Sequence, residues 1–409
     1  MKNLGLVYQI EGRPAEAEAP LKRALAIAER ILGPDHPDVG DYLSELGALQ
    51  ASQGNLPDAA SLLRRGTNIA LARSRRTGDM LGVAQTGYDA GDAARSRQKL
   101  ILLTKVLGRL ALQSSEGQAD LAAEMLADAQ QVQSSEAAAS LSKMAARGAK
   151  DDPKLAALAR DRQDLAGEWK AIDRLLLTAL SLPPKQRNPA SEQAQRDRMA
   201  AIDCRIADID QTLLQQFPDY FALTNPEPLS VQDAQASLRA DEALILFLDT
   251  PAIKPAPEET FIWVVTKTDA RRVRSDLGTA ALSREVRALR CGLDEEEWAA
   301  SATATRCRAL LAPADRQDSS RSLPFDLSRA YALYKALFGQ IEDLIKGKHL
   351  LIVPSGPLTQ LPFQVLVTAA PGKADYKSTA WIARDHALSV LPQCPRSRRC
   401  AVSPGRAPR

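Results

Sequence analysis

Leu350 to Val367, LLIVPSGPLTQLPFQVLV, is the stretch around which the rest of the chain makes sense. A short apolar run, Leu350-Leu351-Ile352-Val353, stops at Pro354. A tight polar turn follows, Ser355-Gly356-Pro357, and Pro362 then interrupts a second apolar patch. An apolar run of this length bounded by turn residues predicts a buried strand of a parallel sheet. Leu327 to Lys346, just upstream, places Leu333, Tyr334, Leu337, Ile341, Leu344 and Ile345 on one helical face. Helix, turn at Gly347, strand and shaped loop make half of an α/β unit. Ligands bind such units at the carboxyl end of the strand, where this loop lies.

Working back from that point, Ala243–Leu248 (ALILFL) and Phe261–Val265 (FIWVV) are strand-like, and Arg271–Leu277 alternates enough for a third strand. Ala280–Arg290 predicts a helix, and the polar stretch Leu293–Leu323 a long surface loop. Residues 217–229, FPDYFALTNPEPL, hold three Pro and an Asn-Pro step and predict a linker. Before it, residues 151–216 carry two narrow apolar stripes. One includes Leu158, Leu165, Trp169, Ile172 and Leu176, the other Met199, Ile202, Ile206, Ile209 and Leu213. Stripes of this kind pair as an antiparallel helical hairpin of coiled-coil type. Leu182-Pro183-Pro184 breaks the two helices apart.

The N-terminal part repeats itself. Gly12, Ala17, Leu21, Ile27 and Ala28 recur at an offset of 42 residues as Gly54, Ala59, Leu63, Ile69 and Ala70. Small residues (Gly5, Ala17 and Ala24, then Gly47, Ala59 and Gly66) fall where two helices of a hairpin must approach closely. This pattern over residues 1–76 resembles tetratricopeptide repeats of the longer kinesin-light-chain type, with Leu32–Val39 as the extra loop. The register fades over 77–150, where Leu100, Leu103, Val106, Leu107 and Leu110, then Leu121, Met125 and Ala129, mark degenerate repeat-like helices. Set against the repeat, the first helix begins part-way through, at Met1. The expectation is an incomplete first repeat with further repeats upstream, or else an internal start. The repeat resemblance implies a protein or peptide partner, and Lys2 and Asn3 are candidate contacts on the concave side of the first helix.

The motif Val353-Pro354-Ser355-Gly356-Pro357-Leu358, followed by Leu361-Pro362-Phe363-Gln364-Val365-Leu366, resembles the signature of the CHAT domain. That is a caspase-like cysteine peptidase domain found behind tetratricopeptide repeats. The resemblance covers about 230–392 and implies the fold class: an N-terminal repeat α-solenoid, a long helical hairpin, then the front half of a caspase-like α/β domain. Its signature loop is Val353, Pro354, Gly356, Pro357, Leu361, Pro362 and Phe363. The family's catalytic His lies in a His-Gly segment and its Cys in a Ser-Ala-Cys segment. This chain contains neither, so the resemblance implies a domain truncated before its dyad, with Trp381–Pro392 as the last strand and no peptidase activity. A pure interaction scaffold is the alternative.

The remaining chemistry is sparse. His349 and His386 open or precede strands, Cys394 follows on a Pro/Arg tail, and Ser355 sits in a turn, not in a Gly-x-Ser-x-Gly elbow. The sequence has no Gly-rich phosphate loop and no His-Glu-x-x-His helix, so no cofactor or metal is expected. Five cysteines in no paired motif predict free thiols. The tail 393–409 holds five Arg and no acid, so Met1 to Gln393 carries a net −2 and the basic balance is confined to the tail. Together with 4% aromatics this argues against a nucleic-acid face. The tail breaks the strand-to-helix logic, and a one-base shift of permitted codons for 393–402 can encode an apolar-periodic helix start; a frameshift near Pro392 is the expectation. No run reaches the ~18–20 apolar residues of a membrane span. With no secretory signal and an Ala-, Pro- and Arg-rich composition, a cytoplasmic bacterial protein is expected.

Overall fold

The computed structural model describes residues 14–77, 88–113, 117–133, 152–225, 227–254, 256–299, 301–310, 325–372 and 376–391. The chain divides into two compact units, Met1–Pro228 and Leu229–Arg409.

The first unit is helical. Its helices are α1 (Pro14–Leu32), α2 (Pro37–Ser52), α3 (Leu56–Thr77), α4 (Tyr88–Gln113) and α5 (Gln118–Val132), and each packs on its neighbours in sequence. The small residues set the spacing. A Cβ on Gly47 would lie 2.7 Å from Leu63 Cγ, and one on Gly66 would lie 2.9 Å from both the Gly40 carbonyl oxygen and Ser44 Oγ. Helices α2 and α3 therefore touch backbone to backbone, as the repeat spacing requires. Above that seam Ala17 and Leu21 bury against Leu46 and Leu49, and Ala28 against Val39, Leu43 and Ile69.

Two longer helices follow, α6 (Pro153–Ser181) and α7 (Pro189–Gln216). Both start with a side-chain cap, Asp152 and Asn188, followed by Pro at the first helical position, where a missing N–H removes no helical bond. Ion pairs Arg205–Asp161 (3.1 Å) and Arg198–Glu168 (2.7 Å) show the antiparallel sense, since one index falls as the other rises. Trp169 packs with Ile202 and Ile206, and Leu155 with Ile209 and Leu213. The boundary between the two units falls within the expected linker 217–229, part of which is helical. Pro218–Thr224 forms helix α8, and Phe217, Tyr220 and Phe221 pack against the cluster of Leu155, Ile209 and Leu213. Aromatics three and four residues apart share one helical face, which outweighs the breaking effect of the prolines.

The second unit is built on a five-stranded mixed sheet of order β3-β2-β1-β4-β5. The strands are β1 (Glu242–Thr250), β2 (Glu259–Thr266), β3 (Ala270–Ser275), β4 (His349–Val353) and β5 (Leu388–Val390). β1, β2 and β3 form an antiparallel meander, while β4 runs parallel to both β1 and β5. One face carries Ala243, Ile245, Phe247, Ile262, Val264, Leu350 and Ile352. It is covered by Leu282, Val286 and Leu289 of helix α10 (Thr279–Cys291) and by Ala330, Leu333, Tyr334 and Leu337 of helix α13 (Leu327–Phe338). The opposite face, with Leu244, Leu246, Leu248, Phe261, Trp263, Leu351 and Val353, is buried too. Burial on both faces is why these strands read as continuous apolar runs. A short helix α9 (Val231–Ser237), closed by a capping box of Ser230 and Asp233, leads into β1.

Four further expectations are corrected. The stretch read as a surface loop contains helices α11 (Glu296–Ala299) and α12 (Ser301–Leu310), since its Ala and Arg content favours helix. Cys291 and Cys307, read as free thiols, form a buried disulfide joining α10 to α12, with Cα atoms 5.6 Å apart. The amphipathic helix before β4 is broken at Gly339 and resumes as the single turn α14 (Glu342–Ile345). Of Trp381–Pro392, Leu388–Val390 alone is strand; Ile382–Asp385 is a helical turn, α15, whose Ile382 buries in the core.

Candidate functional site

The loop after β4 lies at the carboxyl ends of β1 and β4, and its residues divide into anchors and a polar node. Val353 completes the strand, Pro354 stops it, and two 3-10 turns follow, Gly356–Gln360 and Phe363–Val365. Leu358, Leu361, Phe363 and Leu366 point inward and join the core. Phe363 stacks on Phe247 at 6.0 Å and meets Phe338 edge-on at 6.3 Å, while Phe247 and Phe338 lie 5.6 Å apart. Tyr334 stacks on Phe338 at 5.5 Å, and burial, then the Glu342 carboxylate, push its phenol pKa up. Pro357 is the second residue of the first 3-10 turn and Pro362 precedes the second, positions where a missing N–H is harmless.

The polar node is centred on Asp249, the penultimate residue of β1, which is 3% exposed. Ser355 Oγ donates to Asp249 Oδ1 at 2.5 Å, and the Asp249 amide donates back to Ser355 Oγ at 2.8 Å. Thr279 Oγ1, at the start of α10, donates to Asp249 Oδ2 at 2.6 Å. Each carboxylate oxygen thus accepts a hydroxyl hydrogen bond, which is how a buried acid is tolerated. Gly356 explains the small residue in the motif. Its φ is +42°, and a Cβ there would fall 2.5 Å and 2.7 Å from the two Asp249 oxygens. Next to the node, the Ala280 amide at the start of α10 donates to Glu258 Oε2 at 2.8 Å, and Thr250 Oγ1 donates to the Glu259 carbonyl at 2.8 Å. The node ties β1, the β4 loop and α10 together by hydrogen bonds that consume its hydroxyls.

The other reactive groups described in this unit lie elsewhere. His349 opens β4 at the opposite end, about 13 Å away along the strand at ~3.3 Å per residue, and its Nε2 meets Ser389 Oγ at 2.9 Å. His386 Nδ1 lies 3.0 Å from the Lys348 carbonyl. Cys291 ends α10, about 18 Å along the helix from Thr279 at ~1.5 Å per residue, and its sulfur is in the disulfide. Among the described residues, neither an imidazole nor a thiol stands beside Ser355, and the one basic group on its hydroxyl is the Asp249 carboxylate. Of the residues singled out by sequence, the structure brings Val353, Pro354, Gly356, Pro357, Leu361, Pro362 and Phe363 into one loop. It adds Asp249 and Thr279, which the sequence reading did not single out. The one signal for Asp249 was an acid closing the apolar run ALILFL. Lys2 and Asn3 lie outside the described residues.

Residues 1–72 match the tetratricopeptide repeat family. The chain is similar to Protein fem-1 homolog C of Bos taurus, Mus musculus and Homo sapiens, 38% identical to each over 61 residues, which is 15% of this chain and 10% of the relative. It therefore spans about a tenth of the length of the curated relatives it matches. The N-terminal helices are repeat helices of a class that mediates protein–protein interaction. No described helix is long and apolar enough to cross a membrane.

Proposed function

We propose that this chain is a protein-binding repeat protein whose second unit is the front part of a caspase-like CHAT domain without its catalytic dyad. Its repeats hold a protein or peptide partner, and the chain itself does not cleave peptides. The domain plan that goes with this reading is repeats over 1–76, degenerate repeat helices over 77–150, a hairpin over 151–216, and the partial α/β domain over 230–392. One observation carries the non-catalytic part. The strand ends where chemistry would sit are closed by Asp249, Ser355 and Thr279, whose polar groups satisfy one another. The match of 1–72 to tetratricopeptide repeats supports the binding part. That same closed node also favours the alternative, an interaction scaffold whose α/β part is purely structural.

Partner binding is tested by screening the full chain against a displayed library of random peptides and titrating the selected peptides. Peptides whose affinity drops at least tenfold with Lys2→Glu plus Asn3→Asp, and is unchanged by Ser355→Ala, support a repeat-borne groove. Selected peptides indifferent to changes throughout 1–133 would overturn it. An in-frame extension carrying His-Gly and Ser-Ala-Cys segments separates the two readings. Peptidase activity in the extended chain, abolished by alkylation, supports the CHAT assignment, and inactivity favours the scaffold.

A further inference from the structure

Helix α2 is capped by a histidine. His36, at φ −74° and ψ 143°, accepts the Asp38 amide hydrogen on its Nδ1 at 3.1 Å. Caps are usually Ser, Thr, Asp or Asn, whose acceptor oxygens do not change charge near neutral pH. An imidazole cap differs in kind. Accepting at Nδ1 requires that nitrogen's lone pair, so the ring is neutral and its proton is on Nε2. That Nε2 is buried and has no hydrogen-bond partner among the described residues, and the side chain is 9% exposed.

The ring lines a cleft where α2, α3, α4 and α6 meet. Among the described residues, the charged groups that line it come from four helices. Asp38 and Asp41 come from α2, Arg73 from α3, Arg95 and Lys99 from α4, and Asp173 from α6. The cations are matched to carboxylates: Lys99 to Asp41 at 2.7 Å, Arg73 to Asp173 at 2.9 Å, and Arg95 to Asp41 at 4.0 Å. Among the described lining residues three positive charges face three negative ones, so these charges balance while His36 is neutral. Arg73 also lies over the Trp169 ring at 5.1 Å, so its pair with Asp173 ties α3 to α6 at this joint. The balance gives no net attraction for a charged ligand. It does make the joint sensitive to one added proton.

We infer that His36 is a proton-operated latch on this joint: neutral, it caps α2 and keeps the cleft balanced, and protonated, it releases the cap. Protonation must occupy the Nδ1 lone pair, which sets an N–H against the Asp38 amide and ends the capping bond. It also puts an unmatched charge into a buried cleft. The nearest relief is the Asp38 carboxylate, 3.9 Å from Nδ1, which a ring rotation away from the cap would bring closer. The latch therefore has two arrangements, one capping the helix and one paired with the acid. Burial, the largest influence, lowers the His36 pKa; Asp38 and Asp173 pull it up, Arg73 adds to the lowering, and Asp41 opposes it. With the folded pKa below the unfolded value of about 6.5, the neutral form's contribution is whole above that pH. It is lost as pH falls through the folded pKa.

The test is nuclear magnetic resonance on the full chain across pH 7.5 to 4.5, comparing wild type with His36→Asn. Asparagine supplies a neutral acceptor at the cap and cannot titrate in this range. The histidine resonance that disappears in the variant is expected to titrate below pH 6.5. The amides at the start of α2, from Asp38 to Gly40, are expected to lose at least tenfold in exchange protection across that midpoint, after correction for the intrinsic pH dependence of exchange. In His36→Asn their corrected protection is expected to stay flat. A His36 midpoint at or above 6.5, or equal acid loss of protection in the variant, would overturn the latch. If His36→Asn does not fold, the wild-type midpoint and the protection of the Asp38 amide still decide it.

Discussion

The two units hold together in different ways. Among the described residues, each cluster named in the helical unit is shared by helices adjacent in the chain: Ala17 and Leu21 with Leu46 and Leu49, or Trp169 with Ile202 and Ile206. In the α/β unit one cluster runs from Ala243 through Phe363 to Ile382 and takes in strands, helices and the signature loop together. A solenoid sums neighbour interactions, so damage to it stays local. A single core around a sheet fails as a whole. The same contrast separates their polar devices. The cleft beside His36 sits at a joint between helices, whereas Asp249 fastens three elements that share one core.

That comparison can be broken or sharpened by substitution. The largest effect is expected from Phe363→Ala, which removes the ring packed between Phe247 and Phe338 and should cost about 3–5 kcal/mol. It should lower the whole unfolding transition of the α/β unit in calorimetry; loss confined to exchange at the loop would contradict the single-core description. Gly356→Ala drives a methyl into the Asp249 carboxylate and strains a positive φ, with an expected cost of about 3 kcal/mol. For a unit of this size that lowers Tm by about 6–12 °C. A neutral outcome would mean that the node is not a fastening.

Gly66→Ala probes the helical unit, where the added Cβ meets the Gly40 carbonyl oxygen and Ser44 Oγ. Overpacking of this kind costs about 1–3 kcal/mol. Hydrogen exchange should accelerate in α2 and α3 while α6 and α7 keep their protection; uniform loss would refute the solenoid behaviour. The smallest effect is a pH profile. Asp128 on α5 has its pKa raised from 3.8 to about 8, by burial first and then by Glu124, against the pull of Arg64. A raised folded pKa contributes stability that is whole below the unfolded value and lost as pH rises through about 8. Wild type should therefore lose stability between about pH 4 and 8 relative to Asp128→Asn and level off above that, and parallel curves would show that Asp128 is not buried as protonated acid.

The difference between the units also governs what the sequence disclosed. Periodic features were legible because packing repeats them: Gly47 and Gly66 stand at the close seam, and the runs at Ala243–Leu248 and Phe261–Val265 fall within β1 and β2. The β4 loop was legible through its own motif. Pairings between distant, single residues were not. Asp249 and Thr279 are thirty residues apart and meet because a β-hairpin and a third strand return the chain to the same end of the sheet. Cys291 and Cys307 sit on different helices with no motif spacing. By contrast, α8 carried a readable signal in Phe217, Tyr220 and Phe221, which the prolines around it obscured. The helices of 296–310 were hidden by polarity, although Ala and Arg are good helix formers.

The most direct test of the central claim is a peptidase assay of the full chain against a diverse peptide library, read by mass spectrometry. The expected result is no cleavage above buffer, unchanged by Ser355→Ala or by alkylation, because the polar groups of the acid–hydroxyl node satisfy one another and, among the described residues, no thiol or imidazole stands beside it. Reproducible cleavage that is lost on Ser355→Ala, on His349→Ala or on alkylation of a cysteine would contradict it.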